Sequence, residues 1–371
     1  MRFRRGSNTR RAFGLVALTC GMAWSALPQK KEETQTLQVP RDLPSAVEGN
    51  PRRLTFHVTP LSSKGLLSKQ VRDALAALNH EAKGNPILKI RAFVAGSGDA
   101  RRVRDLVSEV FTDRRQPLPV LSLVQVGALP MEGAQVVMEG IAEGRKDITP
   151  EGLVFISAQA AVSDNPLDPV PPLAGKSLAA LGTAVKAAGS EPADVTRITC
   201  FLSSLDNLAA TRQMVETQYP HAAANYVQPQ RSPTQGLASC EAVANLRRET
   251  GTRLELLSPE SLSQETGRSQ IALVAAPKVV LTGSQVSFGF AETDAHLAFE
   301  RLRKALEQAG VSTKEVAFVH YYPLTTGIAS QVQKVRSEFF DATKPPAGTL
   351  LPFEGLPSMG AGFAVDVVAA K

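Results

Sequence analysis

Three long stretches of this chain keep step with one another. The first begins at Ile87 with ILKIRAFVAGSGDARRVRDLVSEVF and continues later as VLSLVQVGALPMEGAQVVMEGIA. The second begins at Asp194 with DVTRITCFLSSLDNLAATRQMVETQY and continues as ANYVQPQRSPTQGLASCEAVA. The third begins at Glu315 with EVAFVHYYPLTTGIASQVQKVRSEFF and continues as GTLLPFEGLPSMGAGFAVDVVA. Phe93, Phe201 and Tyr322 align, as do Pro130, Pro233 and Pro357, and as do Glu139, Glu241 and Asp366. A spacing of about 100 to 125 residues is too long for a solenoid repeat and suits whole small domains. The chain therefore reads as three divergent copies of one domain, with expected bounds 51–145, 146–249 and 250–371. The first copy has an abbreviated start.

A length of 371 residues, 43% hydrophobic and 20% charged, supplies three ordinary globular cores. The formal charge of +6 sits at one end: Arg2, Arg4, Arg5, Arg10 and Arg11 lie in the first 25 residues, which hold no acid. Without them the remainder is near neutral, with no basic stripe for a phosphate backbone, so no nucleic-acid partner is expected. The leader itself reads as a signal peptide over residues 1–26. A basic start is followed by the apolar stretch Ala12 to Trp24, and the small residues Ala23 and Ser25 have cleavage-site spacing. Thr9-Arg10-Arg11-Ala12-Phe13 also resembles a twin-arginine signal. A periplasmic or secreted location is expected, with no membrane partner beyond this export signal. Residues 27–50, polar and proline-bearing, read as a linker. Cys200 and Cys240 both fall in expected strands, and pairing or two buried thiols remain equally open.

Hydrophobic spacing alternates between strand and helix periods. Leu54 to Thr59 reads as a strand, and Leu67 to Glu81 as a helix with Val71, Ala74, Leu75 and Leu78 on one face. Ile87 to Val94 is β-branched and aromatic, hence a strand. Asp99 is placed to cap a second helix carrying Val103, Leu106, Val107 and Val110 on one face. Closing strands are expected at Leu121 to Val126 and Ala134 to Ile141. The later copies repeat this order behind a fuller opening hairpin. Their first strands are Leu153 to Ser157 and Val279 to Thr282, and their first helices Ala174 to Ala188 and Ala291 to Ala309. Gly189 and Gly310 stop those helices. Residues 246–268, charged and serine-rich, read as the bridge between copies two and three. The expected class is α+β, each copy a sheet with two helices on one face. Bare faces meeting around a common axis would make the single chain a monomeric pseudo-trimer.

These features resemble the Rid (reactive intermediate deaminase, YjgF-like) family over nearly all of residues 52–371. The resemblance is carried by Val124-Gln125-Val126 with Leu129-Pro130, by Met138-Glu139-Gly140-Ile141-Ala142 and by Ala187-Ala188-Gly189-Ser190. Ser157-Ala158-Gln159 and Gly283-Ser284-Gln285 look like the family's Ser-Gly-Gln strand end. The resemblance implies a ligand cleft at each junction between copies, and hydrolysis of enamines and imines such as 2-aminoacrylate to keto acids and ammonia. Such chemistry takes an arginine to hold the substrate carboxylate and a carboxylate to position water or move its proton. At the positions matching the family arginine this chain has Leu121, Ala224 and Gly348. At those matching its glutamate it has Val137, Ser239 and Ala364. All three copies lack both groups, which argues against imine deamination.

The recurrent acids Glu139, Glu241 and Asp366 remain as candidate catalytic residues, with hydrogen-bond acceptance at a domain junction as the structural reading. Asn225, Tyr226, Arg231, Ser239 and His320 are the candidate ligand-binding residues. Arg231 could supply a substitute cation or be a solvated turn residue, and His320 could be a ligand group or core. His57, His80, His221, His296 and His320 never fall at metal-ligand spacing with one another or with Cys200 and Cys240, so no metal is expected. No cofactor motif is present. Three readings follow: a small-molecule binder, a hydrolase with rebuilt cleft chemistry, or a structural or protein-interaction module. The last is favoured if side chains fill the clefts.

Overall fold

The computed structural model describes residues 41–371 except 97 and 98, so the expected leader lies outside the described residues. The first described strand, β1 (Ala46–Gly49), is followed by a short 3-10 turn over Pro51–Arg53 capped by Asn50. Then come β2 (Leu54–Val58), α1 (Leu67–Glu81), β3 (Ile87–Ala95), α2 (Ala100–Asp113), β4 (Val120–Val126) and β5 (Val136–Glu143). They form a sheet of order β2-β5-β3-β4 in which only β3 and β4 run parallel. Both helix assignments hold for the reasons the sequence supplies. Val71, Leu75 and Leu78 face the sheet, and the Asp99 carboxylate accepts from the Arg101 N–H at 3.0 Å.

The chain continues through β6 (Leu153–Ser163), α3 (Val170–Ala187), β7 (Val195–Leu202), α4 (Leu208–Gln218), β8 (Ala223–Val227) and β9 (Gly236–Asn245). Next are β10 (Leu254–Leu257) and β11 (Ile271–Val274). The last part comprises β12 (Val279–Thr282), β13 (Gln285–Phe288), α5 (Glu292–Gln308), β14 (Val316–Pro323), α6 (Thr326–Phe339), β15 (Ala347–Leu350) and β16 (Ala361–Ala370). The second sheet has the order β10-β11-β6-β9-β7-β8, and the third β1-β12-β16-β14-β15 with β13 also on β16. The protein is thus a mixed α+β structure with several sheets and six helices among the described residues. Gly189 and Gly310 follow α3 and α5 with φ of 79° and 75°, the left-handed stop that favours glycine.

Edge strands depart from the sequence reading. Ala46–Gly49, assigned to the linker, pairs antiparallel with β12 of the third sheet, and Glu48 forms ion pairs with Lys278 and Lys371. The stretch read as a bridge holds β10, and β10 and β11 extend the second sheet alongside β6. The outer edges of β6 and β12 are thus covered by β11 and β1 respectively. Their outer neighbours come from after the second sheet and before the first. Cys200 and Cys240 are directly paired residues of β7 and β9, with Cα atoms 4.1 Å apart, and form a disulfide.

Each sheet packs its helices on one face. Phe299, Leu302 and Val332, for example, are buried against Val319 and Val365. The opposite faces meet in a shared interior. One apolar cluster unites Phe56 and Ile141, Phe155 and Val243, and Phe318 and Val368, two residues from each sheet in turn. Another unites Phe93, Phe201 and Tyr322 with Phe353, with ring centroids 6.3 Å apart for Phe93–Phe201, 5.9 Å for Phe201–Phe353 and 5.3 Å for Tyr322–Phe353. Burying one such ring or aliphatic side chain contributes about 1.5–3 kcal/mol, so this interior is a main source of cohesion between the sheets.

Candidate functional site

The alternation of a β-strand sends every second residue of β3, β7 and β14 into the shared interior. There Arg91, Thr199 and His320 stand in register opposite Glu139, Glu241 and Asp366 of β5, β9 and β16. All six side chains are buried. Each acid also accepts from the parallel strand of another sheet. Glu139 takes Asn225 Nδ2 of β8 at 2.7 Å, Glu241 takes Thr349 Oγ1 of β15 at 2.5 Å, and Asp366 takes Ser122 Oγ of β4 at 2.6 Å.

Cations complete the network. Arg91 Nη2 lies 2.6 Å from Glu139 and 2.6 Å from Glu241, while Arg197 lies 3.6 Å from Glu139 and 3.4 Å from Glu241. Lys89 pairs with Asp366, which also accepts from Tyr322 OH at 2.8 Å. His320 spans two carboxylates, with Nδ1 3.1 Å from Asp366 and Nε2 3.2 Å from Glu241. Burial opposes ionisation of Glu241, but Arg91, His320 and Arg197 outweigh it and hold its carboxyl well below the usual range. Glu139 and Asp366 are shifted the same way, against burial, by Arg91 and Arg197 and by Lys89 and His320 respectively. Burial and the neighbouring Asp366 raise the Tyr322 phenol well above its ordinary value. The space enclosed beside Lys89, Arg91, Arg197 and His320 is about 10 Å³, on the order of one water. That is too small for a substrate, so the network joins sheets and holds charge without admitting a ligand.

The other sequence candidates do not gather with these acids in an open site. Tyr226 is buried against the α3–α4 core, with Arg212 5.6 Å above its ring, and burial pushes its phenol up to about 12. Ser239 is buried in β9 opposite Phe201. Arg231 is exposed in the loop after β8. Asn225 and His320 belong to the inner network. Lys89, Arg91 and Arg197 were missed as interior residues. Their signal is visible in retrospect: charges at alternate positions of otherwise apolar strands, as in ILKIRAFVA.

Three further places lie where sheets meet. Between the first and third, a cleft of about 200 Å³ is lined by Leu121, Ser284, Gln285, Arg104 and Pro44. Ser45 lies along it, its carbonyl accepting from Gly283 N–H at 3.0 Å, and Ser284 N–H donates to Leu121 O at 3.1 Å. Between the third and second sheets the junction is closed. Gly348 N–H donates to Ser157 Oγ at 2.8 Å, and Arg268 donates to Gly348 O at 3.2 Å and Ala158 O at 2.9 Å. A Cβ on Gly348 would sit 2.5 Å from Val319 O, so the backbone there is too close for a side chain. In the second sheet, Ala224 packs against the helix-side core. The strand ends are tied by backbone bonds from Gly127 to Gln228 O at 2.8 Å, Gln125 to Gly355 O at 2.8 Å and Gln230 to Pro352 O at 3.1 Å.

No family profile matches the chain, and no curated protein matches it in sequence. Among solved structures, it is similar to a Rid-family protein of unknown function from Yersinia pestis, at 13% identity over 32% of this chain and 100% of that one, with a TM-score of 0.31. It is also similar to a YjgF-family member from Neisseria meningitidis, at 12% identity over 32% and 94% with a TM-score of 0.24. A third is a putative endonuclease from Aeropyrum pernix, at 22% identity over 25% and 86% with a TM-score of 0.24.

Proposed function

We propose that this chain is a Rid-like protein of three tandem copies, arranged as a pseudo-trimer within one polypeptide, that binds a small molecule without imine deaminase activity. The tandem reading is supported by where the aligned residues lie: Phe93, Phe201 and Tyr322 share one aromatic cluster, and Glu139, Glu241 and Asp366 share one polar network. Loss of the chemistry rests on one observation above the rest. Every recurrent acid is buried and engaged by cations or donors of a neighbouring sheet, while the arginine positions of the family hold Leu121, Ala224 and Gly348. No guanidinium fork at those positions can hold a substrate carboxylate, and none of the three acids has a free face toward a cleft. Arg231, the substitute cation considered from sequence, is exposed and outside the network.

Of the junctions, the one beside Leu121 offers room for a ligand, with Ser284, Gln285 and Arg104 as polar groups around an apolar wall. The basic, apolar leader supports export, so the binder would act in a periplasmic or secreted setting as a monomer. The decisive experiment generates an imine from an amino acid with an amino-acid oxidase and follows its decay with and without the mature chain. Decay at the buffer rate is expected. Acceleration that survives repurification would overturn the inactive reading and favour rebuilt cleft chemistry.

A further inference from the structure

A second pocket carries an inference that does not depend on the family reading. It is about 490 Å³ in volume and lies between α6 and residues 265–267. Its wall contains Arg336, 6% exposed, near the C-terminal end of α6. Buried guanidinium groups are ordinarily paired with acids, because removing a cation from water costs several kcal/mol or more. Among the described residues no carboxylate lies within ion-pair distance of Arg336. Its Nη2 donates to the Thr266 carbonyl at 2.6 Å, and its Nε–H has no acceptor. The loop is shaped around this group: a Cβ on Gly267 would lie 2.6 Å from Nη2, and Gly267 has a φ of +76°. The centre of the Arg336 guanidinium stands 5.9 Å from the Tyr321 ring, which holds the cation in place but leaves its charge uncompensated.

We propose that this pocket binds a small monocarboxylate, whose carboxylate group pairs with the guanidinium of Arg336 where it lines the pocket. The guanidinium fork matches a planar two-oxygen anion. Phe340, Ala342 and Pro345 supply an apolar wall for the body of the ligand. Glu265 and Asp341 stand exposed at the rim. They repel multiply charged anions more than a single carboxylate, which selects against phosphate esters.

The test uses the mature chain and two probes, isovalerate and inorganic phosphate, with binding read by calorimetry and by chemical-shift changes. Saturable isovalerate binding is expected, weakened at least about tenfold in Arg336→Gln, as loss of a charge-assisted fork requires. Ala342→Phe, which fills the pocket and leaves Arg336 in place, is expected to abolish it. Ser284→Trp, in the other cleft, is expected to leave it unchanged. Far-ultraviolet circular dichroism establishes folding, and if Arg336→Gln does not fold, the Ala342→Phe result decides. No isovalerate binding, tighter binding of phosphate, or binding indifferent to Ala342→Phe would each overturn the proposal.

Discussion

Glu241 receives Arg91, Arg197, His320 and Thr349 at one carboxylate, so its removal leaves the buried Arg91 and Arg197 with Glu139 as their one acid. Breaking a buried pair by deleting one partner typically costs about 3–5 kcal/mol. Glu241→Ala is therefore expected to lower stability by about that amount in chemical denaturation. Arg231→Ala, at an exposed loop position, should stay within about 0.5 kcal/mol. A Glu241 variant as stable as the parent would mean that the network contributes specificity alone. The same residues set the pH response. Carboxylates of an unfolded chain titrate near about 4. Those of Glu139, Glu241 and Asp366 titrate lower in the folded protein, because Arg91, Arg197, Lys89 and His320 face them from β3, β7 and β14. Their contribution is fully present above the unfolded value and is lost as pH falls below it toward the folded values. The contribution of these three carboxylates should hold down to roughly pH 5, and denaturation midpoints should drop steeply below about pH 4. Midpoints that stay flat down to pH 3 would contradict the ion-pair geometry.

At the scale of elements, β1 closes the third sheet and carries Ser45 across the cleft beside Leu121. The bond from Gly283 N–H to Ser45 O places Val47 on the hydrogen-bonded side of the β1–β12 pair, since antiparallel pairs alternate. Proline at Val47 removes that donor. Val47→Pro is expected to release β1, so that a protease cuts between residues 41 and 54 while β12 to β16 remain protected. Resistance equal to the parent would show that the clasp is held by Glu48 with Lys278 and Lys371 instead of by the ladder. Such edge strands also mark the limit of what the sequence discloses. The helix over Leu67–Glu81 and the strand over Val279–Thr282 were legible because periodicity and β-branched runs are local signals. The four residues of β1, Ala-Val-Glu-Gly, and those of β10 carry no local signal, and their state is decided by distant partners. The recurrence of Glu139, Glu241 and Asp366 was legible from the alignment of the three stretches with one another. Their partners Lys89, Arg91 and Arg197 were not, because those pairs join residues brought together only by the folding of separate sheets.

For the whole molecule, the shared interior belongs to no single sheet. Phe93, Phe201 and Phe353 come from three separate parts of the chain, and Arg91 links acids of two sheets. A sheet detached from the others would expose one apolar face and an unpaired buried cation or acid together, at a cost of several kcal/mol for the charge alone. The three parts should therefore unfold as one cooperative unit despite a length at which separate transitions are common. Because the partners are covalently joined, the transition should not depend on concentration, whereas a chain stabilised by self-association melts higher as it is concentrated. Scanning calorimetry over a hundredfold range of concentration checks both points, and sedimentation fixes the mass. A single transition at constant temperature from a monomer is expected. Hydrogen exchange in Glu241→Ala then locates the coupling: protection should fall together in β3, β7 and β14, since each carries a residue of the network. Loss confined to β7 and its neighbours would mean that the sheets are stable apart and that the interior merely joins them.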